Sequence, residues 1–274
     1  MKNWLYNKTV IITGASGGIG FNVAKILIEK YDCKIIALAR NEQKLLNAKN
    51  SLSEKSENYI VKAFDVSNKE NWSDFLEFLN INNYKPDVLI NNAGFMLPFL
   101  RFENYSEQEI SEIVNTNLLS VVNSTKALLP ILKQSETPAI INVASAAGLC
   151  PVVGESMYCL TKYAVRGFTE TLIEDYRKKI YVAGVYPGFV RTNILNRMSV
   201  NDKENNLIQK LMLPVEKASK KIVKGLKRKK TRIVMGIDGR SMSFFSRLFP
   251  KLTPRIVSKV LRLSKLDIFE DINK

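Results

Sequence analysis

The chain has 274 residues, room for one large domain, and its 46% hydrophobic and 24% charged residues are the balance of a globular protein rather than a disordered or membrane-spanning one. It contains no histidine, and Cys33, Cys150 and Cys159 have no metal-ligand spacing; a Ser-His-Asp hydrolase, a Cys-His nucleophile and a histidine-rich zinc centre are excluded, and no metal site is expected. The net charge of +15 resides between Lys203 and Lys265, where 18 Lys and Arg stand against Glu204, Glu216 and Asp238; such a segment implies either an acidic partner or surface, or merely solvated charge.

Short β-branched runs at 8–13, 34–39, 59–64, 87–90, 139–144, 180–186 and 231–236 alternate with helix-like stretches. Near-continuous apolar strands alternating with helices predict a doubly wound α/β fold, a parallel sheet with helices on both faces. In that fold ligands sit beyond the carboxyl ends of the strands, which directs attention to the residues after each strand. One catalytic domain over 1–240 and a basic C-terminal extension over 241–274 are expected. Strand-like sequence begins by Thr9, leaving no room for a signal core, so the expected location is the cytoplasm.

After the first strand comes Thr13 to Gly20, TGASGGIG, then a helical run. Glycines at 14, 18 and 20 permit a tight turn and let backbone N–H groups and the positive end of a helix approach a pyrophosphate, with Ser16 and Ile19 in the same loop. Further along stand Asn91-Asn92-Ala93-Gly94, Asn117 in VNTNLLS, Ser145 in INVASAAG, Tyr158-Cys-Leu-Thr-Lys162, and Pro187-Gly188 leading to Val190, Arg191 and Thr192. In this order, and with this glycine spacing, the chain over about 8–240 resembles the short-chain dehydrogenase/reductase family.

The resemblance implies an NADP(H)- or NAD(H)-dependent oxidoreductase acting on a carbonyl or secondary alcohol. Gly14, Ser16, Gly18, Ile19, Gly20, Asp65, Asn91, Ala93, Gly94, Tyr158, Lys162, Pro187, Gly188, Val190 and Thr192 would contact or frame the cofactor. Tyr158 would be the general acid/base, Ser145 the donor to the substrate oxygen, and Asn117 the holder of a water linking Lys162 to solvent. Asn115 is a competing candidate for that last role. Tyr158 and Lys162, four apart, share one helix face, and a nearby ammonium is expected to lower the pKa of the phenol. Cys159, on another face, is expected to be a small packing residue.

Cofactor choice is read twenty residues beyond Gly20, where Ala39-Arg40 replaces the acidic residue that would hold a ribose 2′-hydroxyl; Arg40, helped by Ser16 and Asn41, predicts NADP(H). Asp65 is expected near the adenine. The segment 193–213, with Ile194, Leu195, Met198, Leu207, Ile208, Leu211 and Met212, suits either a lid over an apolar substrate or ordinary helix packing. A homo-oligomer is expected, and no nucleic acid, since no reader motif accompanies the basic residues. The alternative from another class is an idle NADP(H)-binding sensor or scaffold.

Two short helices are predicted from Ser241 and from Thr253-Pro254. Their apolar residues recur at helical spacing among Arg247, Lys251, Arg255, Lys259 and Arg262. Packing on the protein's own sheet or a second subunit is the first expectation; peripheral contact with an anionic membrane through 241–265 is the second.

Overall fold

The computed structural model describes residues 3–52, 55–192, 212–264 and 266–273. All seven expected strands form: β1 (Thr9–Thr13), β2 (Lys34–Ala39), β3 (Tyr59–Ala63), β4 (Val88–Asn91), β5 (Ala139–Val143), β6 (Tyr181–Pro187) and, last in the chain, β9 (Arg232–Met235). They build one sheet in the order β3-β2-β1-β4-β5-β6-β9, every neighbouring pair parallel. Between β6 and β9 lie two short paired strands that the sequence did not signal, β7 (Val190–Arg191) and β8 (Leu213–Pro214).

Alternation along each strand divides the core into two layers. Val10 and Ile12 of β1 face Val23 and Leu27 of α1 (Gly18–Tyr31) and Ile222 and Leu226 of a later helix, Val215–Lys227, here α7. Ile11 points to the opposite side, where Phe75 of α3 (Asn71–Ile81), Leu128 of α5 (Ser120–Leu132) and Leu172 of α6 (Ser156–Asp175) gather. Each fully buried Ile, Leu or Phe contributes about 1.5–3 kcal/mol, so both faces are covered and the strands carry no polar stripe.

The chain runs outward from β1 to β3, then returns to lay β4 beside β1 and continues the other way. This reversal opens a crevice at the carboxyl ends of β1 and β4. Its rim is shaped by α2 (Glu42–Asn50), capped by the Asn41 side chain; farther along the chain, α4 (Glu107–Val114) begins with a Ser106/Glu109 capping box. Between α4 and α5 the helix widens into a π-turn at Asn115–Leu119.

The limit expected at 240 falls inside α8 (Ile237–Leu248), which leaves β9 directly, and α9 (Leu252–Leu263) follows. Met242 is buried against Ala146 and Cys150, and further on Phe269 and Ile272 are buried against Phe99, with the two phenyl rings 4.7 Å apart. The Asp271 carboxylate accepts the Arg101 N–H at 2.7 Å. The extension is therefore folded onto the carboxyl end of the sheet. Among the described residues no helix is long and apolar enough to cross a membrane.

Candidate active site

A cleft of about 860 Å3 occupies the crevice. Its floor is the glycine loop. Gly14 has φ +64°, and a Cβ there would lie 2.9 Å from Ala93 Cα; a Cβ on Gly20 would lie 2.4 Å from the Gly14 carbonyl oxygen. Only glycine admits this close approach of loop, helix and β4. The start of α1 carries no side-chain cap, so the first N–H groups of the helix, with its positive dipole end, are left for an anion. A dinucleotide pyrophosphate fits this cradle.

The loop is stitched to the end of β4. Thr13 Oγ1 accepts the N–H groups of Asn92 at 2.9 Å and Ala93 at 3.0 Å, while Asn92 Nδ2 donates to the Thr13 and Gly14 carbonyls. Asn92, not Asn91, lines the cleft. Asn91 is buried behind it, donating to Asn142 Oδ1 at 2.9 Å and accepting from Ser124 Oγ at 2.6 Å. Its part is to tie β4 to β5 and α5.

Ser145 follows β5, and Tyr158 and Lys162 come from the first turns of α6. The three line the cleft together. The Ser145 side chain lies beside Tyr158, and Ser145 Oγ accepts the Ala147 N–H at 3.1 Å. Lys162 Nζ donates to the Val143 carbonyl at 3.3 Å and stands 5.5 Å from the Tyr158 ring centre. Burial pushes the lysine down to about 8. The expected lowering of the phenol pKa is not found: burial raises it, and the neighbouring Ser145 hydroxyl opposes that rise. The reason is depth, since the whole side chain lies inside the protein and the ammonium is itself desolvated.

Asn117 sits in the π-turn and is fully buried. Its Oδ1 accepts the Phe95 N–H at 2.9 Å and its Nδ2 donates to the Phe95 carbonyl at 2.8 Å. Asn115, the competing candidate, instead bonds Ser111 on the exposed side.

Pro187, Gly188, Val190 and Thr192 form the far wall, beside Ser16, Gly18, Ile19, Ala93 and Gly94. Asp238 holds that wall by accepting the Phe189 N–H at 2.6 Å. Arg40 and Asp65 lie outside the cleft lining. The Arg40 guanidinium is 3.9 Å from Asp65 Oδ2 and 4.0 Å from Glu112 Oε1, and Asp65 also accepts from Ser67. Asn41 spends its side chain on capping α2. The cleft wall at this end is made by Lys44, Asn47 and Ser51, which the sequence did not mark. Also unmarked were Asp238 and Glu155, a buried carboxyl in the wall near Tyr158. The segment expected as a lid lies outside the described residues except for Met212 and Leu213; Met212 is buried in the cleft wall.

The model of the short chain dehydrogenase family matches residues 8–203. A 3-oxoacyl-[acyl-carrier-protein] reductase FabG of Chlamydia trachomatis is 33% identical over 208 residues, 75% of this chain and 82% of its own length. Among solved structures, the closed form of a serine dehydrogenase complexed with NADP+ superposes with a TM-score of 0.71 at 28% identity, covering 78% of this chain and 87% of that one. A short chain dehydrogenase/reductase from Burkholderia phymatum in complex with NAD shares the fold, with a TM-score of 0.81 at 21% identity over 92% of this chain and 96% of that one.

Proposed function

The chain belongs to the short-chain dehydrogenase family, and on that premise we propose that it is an NADP(H)-dependent oxidoreductase interconverting a carbonyl and a secondary alcohol on a largely apolar small molecule. The observation that carries this reading is the meeting of Ser145, Tyr158 and Lys162 in one cleft with the glycine cradle. A bound nicotinamide ring supplies or accepts the hydride. Tyr158 Oη gives its proton to the substrate oxygen in reduction and takes it back in oxidation. Ser145 donates to the same oxygen, stabilising the charge that develops there. Lys162, donating to the Val143 carbonyl on the same wall, would hold the ribose. Asn117, through Phe95, fixes the floor between them and supports the water relay.

Arg40 supports the choice of NADP(H), because no acidic residue stands at 39–41 to repel a 2′-phosphate, and Lys44 and Ser51 line the cleft at that end. The serine dehydrogenase binds the same cofactor form. Apolar lining by Phe95, Met96, Phe99, Val152 and Met212 supports an apolar substrate. Exposed Leu160 and Tyr163 on α6 support self-association, and the exposed apolar faces of α8 and α9 support contact with an anionic membrane surface. No observation favours an idle sensor, since the reacting groups are assembled.

The test is the initial rate of NADPH oxidation by the purified protein against ketones, aldehydes and acyl thioesters, with the corresponding alcohols and NADP+ assayed in reverse. Turnover of an apolar carbonyl is expected. Inactivity in both directions across the whole panel overturns the reading.

A further inference from the structure

Glu155 stands three residues before Tyr158, at the N-cap of α6, and contributes to the same cleft wall. Only 1% of the residue is exposed, yet neither carboxyl oxygen has a hydrogen-bond partner among the described residues. Its backbone is committed: the N–H donates to the Val152 carbonyl and the carbonyl accepts from Cys159. The side chain does not turn back to cap the helix. A buried carboxyl left without a partner is costly, and such groups are otherwise almost always satisfied.

The groups that face it do not satisfy it. Tyr158 and Cys159 lie within electrostatic reach on α6, and Tyr105 on the segment before α4. The Tyr105 hydroxyl is already used, donating to the Gly154 carbonyl at 2.6 Å and the Pro98 carbonyl at 3.2 Å. Among the described residues no lysine or arginine acts on the carboxyl, and the cleft wall they form includes Phe95, Met96, Phe99, Val152 and Met212. Among the described residues, this carboxyl beside an apolar stretch of the wall holds no other group in place, and the proton exchange proposed at Tyr158 does not use it.

We propose that Glu155 is a specificity-determining residue that accepts a hydrogen bond from a hydroxyl or protonated amine carried by the substrate close to its reacting carbonyl. The inference rests on the oxidoreductase reading and narrows its substrate class from simple carbonyls to amphipathic ones. Glu155 is the N-cap residue of the helix that carries Tyr158 and lines the same wall, so the donor belongs on the part of the substrate next to the carbonyl bound at Tyr158. The positive end of α6 makes the site tolerant of the ionised carboxylate once a donor covers it. Both donors share this chemistry, and the amide variant separates them, because a glutamine oxygen accepts from a hydroxyl but cannot neutralise an ammonium.

The experiment compares kcat/KM of the wild type, Glu155→Gln and Glu155→Leu on matched ketones that differ only in a neighbouring methyl, hydroxyl or amine. The wild type should prefer a donor-bearing ketone by about 10- to 100-fold. Glu155→Leu should lose that preference while keeping the rate on the methyl ketone within about threefold. Glu155→Gln should retain preference for a hydroxyl and lose it for an amine. An unchanged preference in the leucine variant, or an equal fall on all three ketones, overturns the proposal. The same ligands and their alcohols are also read by thermal shift of the NADP+-saturated proteins. If no ketone turns over, the oxidoreductase reading fails, and Glu155 is still decided by whether donor-bearing ligands stabilise the wild type and not the leucine variant.

Discussion

Asn117 and Phe95 are joined as two strands of a sheet would be, the amide oxygen accepting at 2.9 Å and the amide nitrogen donating at 2.8 Å to the same residue. This pair closes the floor of the cleft between the π-turn and the segment after β4. Truncation removes both bonds to the half-buried Phe95 backbone, each worth about 0.5–1.5 kcal/mol. Asn117→Ala should therefore lower Tm by about 5 °C or more and reduce turnover through displacement of Phe95. Asn117→Asp, which keeps the acceptor alone, should fall between. Equal melting of wild type and the alanine variant would remove the positioning role.

Tyr158→Phe deletes one oxygen and leaves the ring in place. Folding and NADPH affinity should survive, and turnover should fall by about 10²–10⁴, the usual worth of a positioned proton donor. Intrinsic fluorescence quenching by NADPH reports binding independently of rate. Near-normal activity in the phenylalanine protein would place the proton transfer elsewhere.

The seven sheet strands were legible because β-branched runs buried on both faces leave an unmistakable apolar signal, as in TVIIT and KIIALA. The glycine loop and Ser145 stood out because each directly follows a strand, whereas Tyr158 and Lys162, on α6, were singled out only through their order after that loop and Ser145. Asn91 and Asn92 were not separable in sequence: adjacent residues at a strand end point to opposite sides, and only the register with Asn142 shows that Asn91 turns inward. Asp238 and Lys44 contribute through tertiary approach of elements distant in the chain, which leaves no local spacing. Glu155 differs, since its place three residues before Tyr158 was visible, but its lack of a partner was not.

Lys162 gives the stability a distinctive pH dependence. Its pKa is about 8 in the folded protein against an ordinary 10.5, so between these values the unfolded chain binds a proton that the native one does not. Stability then rises with pH across that window, and the burial penalty, about 3 kcal/mol for a shift of this size, is fully present below pH 8. In cofactor-free protein, Lys162→Met should be more stable than wild type at pH 7, and the gap should narrow steadily toward pH 10. A gap independent of pH would mean that the ammonium is not desolvated.

Cofactor selectivity tests Arg40, which faces two carboxylates and is half exposed. If the guanidinium turns from Asp65 and Glu112 to a 2′-phosphate, kcat/KM for NADPH should exceed that for NADH by about tenfold or more, the worth of one charge-assisted contact. Arg40→Asp should reverse the order. Lys44→Ala should reduce the NADPH value alone. Comparable efficiencies with both cofactors in the wild type would sink the assignment.

The apolar residues of α8 and α9 divide, Met242, Val257 and Leu261 packing inward and the others facing outward. Phe244, Phe245, Leu248, Ile256, Val260 and Leu263 are 48–66% exposed, while Val257 and Leu261 turn inward. Arg247, Lys251, Arg255, Lys259 and Arg262 are interspersed, and no acidic residue lies between Gly239 and Lys265. Met242 of α8 reaches the cleft, and Val152 is shared between the cleft and a groove against α9 lined by Arg255, Lys259 and Arg262. A surface of this kind suits an anionic bilayer beside the substrate opening, each basic residue contributing about 1 kcal/mol. Removing everything beyond Gly239 is a poor test, because Phe269 and Ile272 in the core would go with it. Substitution on the exposed stripe is cleaner. Full-length protein should sediment with phosphatidylserine-containing vesicles at low salt and be released as ionic strength rises. Ile256→Glu with Val260→Glu should weaken that binding by about tenfold or more, by setting charge where apolar surface is buried, with Tm and NADPH oxidation unchanged. Failure to sediment at low salt, or binding indifferent to both substitutions, would return the exposed faces to a protein partner such as a second copy of the chain, which size-exclusion chromatography of the same variants would reveal as a shift to monomer.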